Sequence, residues 1–138
     1  MPRNITLAQA DTIIDACKTE ATNIGQPMNI AVVDDGGNLV AFVAQDDTKL
    51  IGESISQRKA LTAVLFQMDT KELVPLVQPG AALYGIESTS EGRLVVFAGG
   101  VLLRDADGAI AGAVGVSAGT VDEDHQVAEA GRKAFSGG

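Results

Sequence analysis

The spacing of apolar residues along the chain predicts four helices and five strands. Helical spacing is found over residues 6–24, 53–68 and 120–135, and a shorter helix is predicted over 69–77. Short apolar runs bounded by turn residues predict strands at 28–33, 38–44, 93–98, 101–104 and 109–117. Thr6 with Gln9, and Thr120 with Glu123, match the capping boxes that begin helices, at the first and last of them.

Two tight turns determine the predicted fold class. Gly-rich turns at 34–37 and 105–108 join consecutive strands as hairpins, so the sheet is expected to be mainly antiparallel. Helices then have to cover its apolar faces. We therefore predict an α+β fold, a mainly antiparallel five-stranded sheet flanked by helices, in a single domain over residues 1–138.

Composition narrows the classes of function. The 138 residues carry a formal net charge of −8, which disfavours nucleic acid and anionic membranes as partners. A single cysteine, Cys17, excludes an internal disulfide framework and a multi-cysteine zinc site. The sequence shows no signal-peptide pattern and no apolar run near the roughly 20 residues that span a bilayer. The expected location is the cytoplasm.

The second helix is apolar on two sides. Ala60 and Val64 lie on one side, and Ile55 and Phe66 lie on the other together with Lys59. A helix that is apolar on two sides is buried on two sides. We expect the sheet to cover one side and a second copy of the chain to cover the other, in a homodimer or higher homo-oligomer. Lys59 either extends its ammonium group to water or belongs to a site at that contact.

Three single residues are candidates for proton transfer in a pocket between subunits: Lys59, Tyr84 and His125. His125 is the only histidine, and Glu129, one helical turn further on, is placed to accept its N–H. Tyr84 is the only tyrosine and lies in an irregular segment rich in Gly and Pro, of the kind that lines pockets.

Other residues are candidates for ligand binding or close packing. Ser117 precedes a helix start, which favours anions, and Arg93 supplies a positive charge. Gly99 and Gly100 interrupt an apolar run and indicate a bend or a close backbone approach. Gly115 in the last strand likewise predicts that a helix or subunit packs tightly against the sheet.

Four motifs, at residues 28–37, 78–86, 92–100 and 115–125, resemble the GlcG/HbpS family. This is the so-called haem-degrading domain, which also forms the C-terminal domain of PduO-type proteins. The resemblance covers nearly the whole chain and implies a mainly antiparallel sheet flanked by helices, assembled into dimers or higher oligomers. It places Asp124 and His125 at the acidic-histidine end of the last motif, Lys59 at the family's helix lysine and Tyr84 in its Leu-Tyr-Gly segment.

Some members of that family bind haem, so the resemblance implies haem as a candidate cofactor with His125 as its axial ligand. The chain departs from the family pattern at Asn38, where many members carry histidine. The first hypothesis is therefore an oligomeric protein that binds a small ligand, with haem as a candidate. The alternatives are a cofactor-free isomerase, tautomerase or lyase acting on a small catabolic metabolite, and a non-catalytic assembly module.

Overall fold

The structure is a computed structural model that describes residues 4–135. Its α-helices are α1 (Leu7–Asn23), α2 (Ile51–Phe66), α3 (Thr70–Leu73) and α4 (Val121–Ala134). Its strands are β1 (Asn29–Asp34), β2 (Leu39–Ala44), β3 (Gly100–Arg104) and β4 (Ile110–Ser117). Two 3₁₀ helices, Val74–Leu76 and Ile86–Ser90, lie between α3 and β3. Residues 136–138, which look like a tail in the sequence, fall outside the described part.

The strands form one antiparallel sheet in the order β2-β1-β4-β3. The predicted α+β class is confirmed, and both predicted capping boxes are present at the starts of α1 and α4. Side chains at the start of the short third helix bond both to that helix and to the sheet. Glu72 accepts the backbone N–H of Asp69, whereas the hydroxyl of Thr70 accepts the backbone N–H of Gly100.

The described sheet has four strands rather than the predicted five, because residues 93–98 form no strand. This segment is held against α2 by side chains. The hydroxyl of Thr62 accepts the N–H of Val95 at 3.0 Å, and the guanidinium of Arg58 donates to the Gly92 carbonyl at 2.7 Å. These bonds satisfy backbone groups that a strand would pair in a ladder. Leu94, Val95 and Ala98 of this segment are buried, but the segment bonds to α2 and not to a neighbouring strand.

Helices cover both faces of the sheet. On one face, α1 and α4 pack on alternate residues of the strands, including Ile30 and Val32 of β1. On the other face, α2 packs over β4, β1 and β3 through Ala60 and Ala63. The two faces therefore have separate apolar cores, with β1 and β4 between them.

Helix α2 packs on β4 at backbone distance because Gly115 has no side chain. A Cβ atom at this position would lie 2.0 Å from the carbonyl oxygen of Ser56 and 2.7 Å from the amide nitrogen of Ala60. Both are backbone atoms of α2, so no side-chain rotation relieves the overlap. The close approach expected at Gly115 is thus made by a helix of the same chain.

We predict that Gly115→Ala lowers the free energy of unfolding by about 3 kcal/mol, because the helix has to move away from the sheet. Urea unfolding followed by circular dichroism measures the change. Gly108→Ala is the control: Gly108 has open space around it but a φ of +83°, so only backbone strain of about 1 kcal/mol is expected. An unfolding midpoint for Gly115→Ala equal to that of the unsubstituted protein would contradict the packing described here.

Candidate functional site

Lys59 in α2 and Asp124 in α4 form a buried ion pair. The Nζ atom of Lys59 lies 2.7 Å from Oδ2 of Asp124 and donates a second hydrogen bond of 2.8 Å to the carbonyl of Val116. The lysine side chain is fully buried and the aspartate side chain is 3% exposed. The ring of Phe97 lies over the ammonium group, 5.0 Å from Nζ to the ring centroid.

The pair joins the two helical layers around one end of the sheet. Helix α2 lies on one face and α4 on the other, so Lys59 has to pass the point where β3 begins. A Cβ on Gly99 would lie 2.5 Å from the Lys59 Nζ atom, and one on Gly100 would lie 2.4 Å from the Lys59 carbonyl oxygen. Gly99 therefore leaves room for the lysine side chain, and Gly100 leaves room for the α2 backbone that carries it.

Asp124 also holds the turn that leads into its own helix. Its Oδ1 atom accepts the backbone N–H of Gly119 at 2.9 Å. The residue before, Ala118, has a φ of +115°, a backbone conformation that costs a residue with a side chain roughly 1–3 kcal/mol. Ser117, which ends β4, is buried. Strain of this kind persists where surrounding contacts enforce it, and it clusters at functional sites.

Burial shifts both members of the pair toward their neutral forms. Loss of solvation lowers the pKa of Lys59 and raises the pKa of Asp124, while the attraction between the two charges opposes each shift. The two pKa values therefore lie closer together than those of a lysine and an aspartate in water. Groups with converging pKa values exchange a proton more readily, which makes this pair the strongest candidate for acid–base chemistry among the described residues.

His125 lies beside the pair in sequence but has different contacts. Its Nε2 atom is 3.4 Å from Oε1 of Glu129, beyond normal hydrogen-bonding distance, and its Nδ1 atom is buried with no hydrogen-bond partner in residues 4–135. Glu129 is held by the guanidinium of Arg132. The nitrogen without a partner is thus enclosed by the protein, and a metal bound by His125 would have to approach Nε2, the atom that faces Glu129.

Within the described residues, no cluster of three or more His, Cys, Asp or Glu side chains could hold a metal ion by itself. Asn38 is used in the hairpin turn. Its side-chain amide and its backbone N–H both donate to the carboxylate of Asp34.

The structure brings together some of the predicted site residues and not others. Lys59, Asp124, Gly99 and Gly100 are in contact. Tyr84 is 66% exposed, and its side chain makes no hydrogen bond within the part of the chain that the structure describes. Arg93 is exposed and lines a surface groove that Lys59 does not border. Ligand binding and catalysis by these residues remain predictions.

Sequence reasoning missed two contributors to the site. Phe97 belongs to the run that was predicted as a strand, so its position over a lysine far away in sequence gave no local signal. Ala118 has a positive φ, which glycine adopts most readily. The glycine of this turn, however, is the next residue, Gly119. The hydrogen bond from Gly119 to Asp124 and the one from the Gln26 side chain to the Ala118 carbonyl hold the strained turn.

Fold and site together define a class of protein: an antiparallel α+β sheet, covered on both faces, with a buried lysine–aspartate pair that closes one end. The chain belongs to the HbpS-like family, whose model, described as "Haem degrading protein HbpS-like", matches residues 5–133.

The relatives agree with this assignment. An uncharacterized 15.0 kDa protein of Citrobacter freundii is 42% identical over 134 residues, which cover 96% of this chain and 92% of that protein. Crystal structures of ORFY from Klebsiella pneumoniae and of a PduOC:heme complex have TM-scores of 0.91 and 0.89, at 36% and 32% identity. The first match covers 95% of this chain and 90% of ORFY, and the second covers 94% of each chain. No helix in residues 4–135 is long and apolar enough to cross a membrane.

We predict that Asp124→Asn lowers the free energy of unfolding by about 3–5 kcal/mol at neutral pH, because Lys59 is then a buried charge without a counter-ion. Without the carboxylate the pKa of Lys59 falls further. Between that pKa and the unfolded value of about 10.4 the unfolded chain binds more protons, so stability rises with pH. Urea unfolding between neutral and alkaline pH measures both effects.

The double variant Lys59→Met with Asp124→Asn is the matched control for this substitution. It removes the buried ammonium and keeps an oxygen that can accept the N–H of Gly119. It is expected to lose less stability than Asp124→Asn alone and to lack the rise with pH. Equal pH profiles for the two variants would show that Lys59 does not titrate in the folded protein.

Proposed function

We propose that the protein binds a small ligand as a homo-oligomer, at a site next to the Lys59–Asp124 pair, with haem as the first candidate ligand. The observation that carries the proposal is the pair itself. A buried ion pair costs desolvation energy that an apolar pair would not, and such groups in a fold are often retained for function. Here the pair lies under a single partly exposed ring, that of Phe97.

Exposed apolar side chains surround the start of α2 and support contact with a second copy. Leu50 is 90% exposed and Ile51 is 65% exposed. The next residue, Gly52, lies against Ala118 in the strained turn before α4. Large exposed apolar side chains next to each other are typical of surfaces that another molecule covers. These side chains support a subunit contact at the start of α2.

The chain itself covers part of the side of α2 that the sequence assigned to a partner. The backbone N–H of Val95 donates to the hydroxyl of Thr62, and the ring of Phe97 covers Lys59. Ile55 and Phe66 are half-buried, neither enclosed nor fully open to solvent. The proposed second copy therefore has to cover only the remaining apolar surface.

Two observations support haem as the candidate ligand, namely the structure of a relative and the presence of His125. A solved structure with 32% identity is a complex of PduOC with heme. In this chain His125, the only histidine, would supply an imidazole to the iron. Bound haem would supply redox-active iron, and the chain's own contribution would be that ligand and an apolar surface.

We predict that hemin added to the purified protein gives a shifted Soret band at about one haem per site, and that His125→Ala removes the shift. Tyr84→Phe is the control, because the Tyr84 side chain is exposed and is expected to leave the spectrum unchanged. Sedimentation velocity on the same samples tests the proposed oligomer. An unchanged Soret shift in His125→Ala would exclude ligation through this residue, and a monomer would exclude a site between subunits.

A cofactor-free enzyme of the isomerase, tautomerase or lyase type is the second candidate. The observation that favours it is the lowered pKa of Lys59 beside the raised pKa of Asp124. Such a pair would remove and return a proton next to a carbonyl group, with Lys59 as the base once Asp124 has taken its proton. The lack of contact between Tyr84 and the pair argues for a centre made of Lys59 and Asp124.

We predict that, if the second candidate is right, the protein speeds the exchange of C–H for deuterium in a panel of small keto acids dissolved in D₂O. Proton NMR measures the exchange. Lys59→Met is expected to abolish the acceleration, and Arg104→Gln, distant from the pair, is expected to retain it. Exchange no faster than in buffer would remove this candidate and leave the binding protein.

A further inference from the structure

A separate groove lies between α2 and the hairpin of β1 and β2, on the side of the helix away from Lys59. Its volume is about 470 Å³, within the range of small-molecule sites. Its lining includes the apolar side chains of Val33, Leu39 and Leu61, together with the acidic side chain of Glu53. Leu61 lies so close to Gly37 that a Cβ there would come within 2.6 Å of the leucine methyl group. The hairpin and the helix therefore pack tightly at the base of the groove.

Two exposed arginines, Arg58 and Arg93, also line this groove. The Nη1 atom of Arg58 donates a 2.7 Å hydrogen bond to the carbonyl of Gly92, the residue before Arg93. That bond holds the first guanidinium beside the backbone that carries the second. Within residues 4–135 neither arginine forms an ion pair with a carboxylate.

The groove carries two positive side chains and one negative side chain, because Glu53 also lines it. Asp and Glu number 18 against 10 Lys and Arg over the whole chain, so the charge of the groove is opposite in sign to that of the chain. An anion that contacts both guanidinium groups would be attracted by each of them. Guanidinium groups bind carboxylates through two parallel hydrogen bonds, so the pair of arginines is suited to a carboxylate.

We propose that this groove binds a small organic acid, with its carboxylate between Arg58 and Arg93 and its apolar body against Leu39 and Leu61. The proposal is independent of haem and of the Lys59–Asp124 pair. It also assigns a ligand to the exposed Arg93, which lines this groove and not the region around Lys59 and Asp124. The apolar lining selects for an acid that carries a hydrocarbon chain, and the arginines select against the neutral analogue.

Isothermal titration calorimetry of the full chain with hexanoate tests the proposal, with hexanamide as the neutral probe of the same shape. We expect hexanoate to bind saturably and hexanamide to bind at least tenfold more weakly. Arg58→Gln and Arg93→Gln are each expected to weaken hexanoate by about tenfold, the usual effect of losing one charge-assisted contact. His125→Ala is expected to leave hexanoate binding unchanged, which separates this site from haem ligation.

Arg104→Gln is the matched control. Arg104 is also exposed, and its Nη1 atom also donates to a backbone carbonyl, that of Gly108 at 2.9 Å, but it lies outside this groove. It is expected to retain full affinity for hexanoate. Equal affinity for hexanoate and hexanamide, or equal loss in all three arginine variants, would overturn the proposal. Absence of saturable hexanoate binding would also overturn the proposal. If Arg93→Gln then changes the oligomeric state, the groove is a contact with a second copy of the chain.

Discussion

The ion pair between Lys59 and Asp124 is the contact on which the arrangement of layers depends. It is the point where the helix on one face of the sheet reaches the helix on the other, at the end where β3 begins. An ammonium group can be buried there because two oxygens and an aromatic ring replace its water. The absence of a side chain at Gly99 leaves room for the lysine side chain, and its absence at Gly100 lets the backbone of α2 approach β3.

This constraint connects local strain to long-range packing. Asp124 can accept from Lys59 and from Gly119 at once only if the turn before α4 brings Gly119 close to the carboxylate. Ala118 takes a positive φ in that turn, and Gly52 of α2 lies against it. The start of α2, the start of α4 and the end of β4 are therefore held as one unit, which is the physical condition for a precisely shaped site.

The two flanks of α2 carry different chemistry. One flank holds a charge removed from water and covered by Phe97, with exposed apolar residues nearby. The outer flank, toward the hairpin, holds two cations in water above an apolar lining. Burial lowers the pKa of Lys59 on the first flank. The family relationship explains the fold around both flanks, while the ligand on each depends on these particular side chains.

The sequence determined the helices, their capping boxes, the hairpins and the α+β class, because these depend on spacing and turn chemistry within a few residues. It also pointed to Lys59, Gly99 and Gly100 as unusual positions. The tertiary structure alone decided that residues 93–98 bind α2 through Thr62 instead of joining the sheet. It alone placed Phe97 over Lys59, because contacts between residues far apart in sequence leave no periodic pattern in the chain.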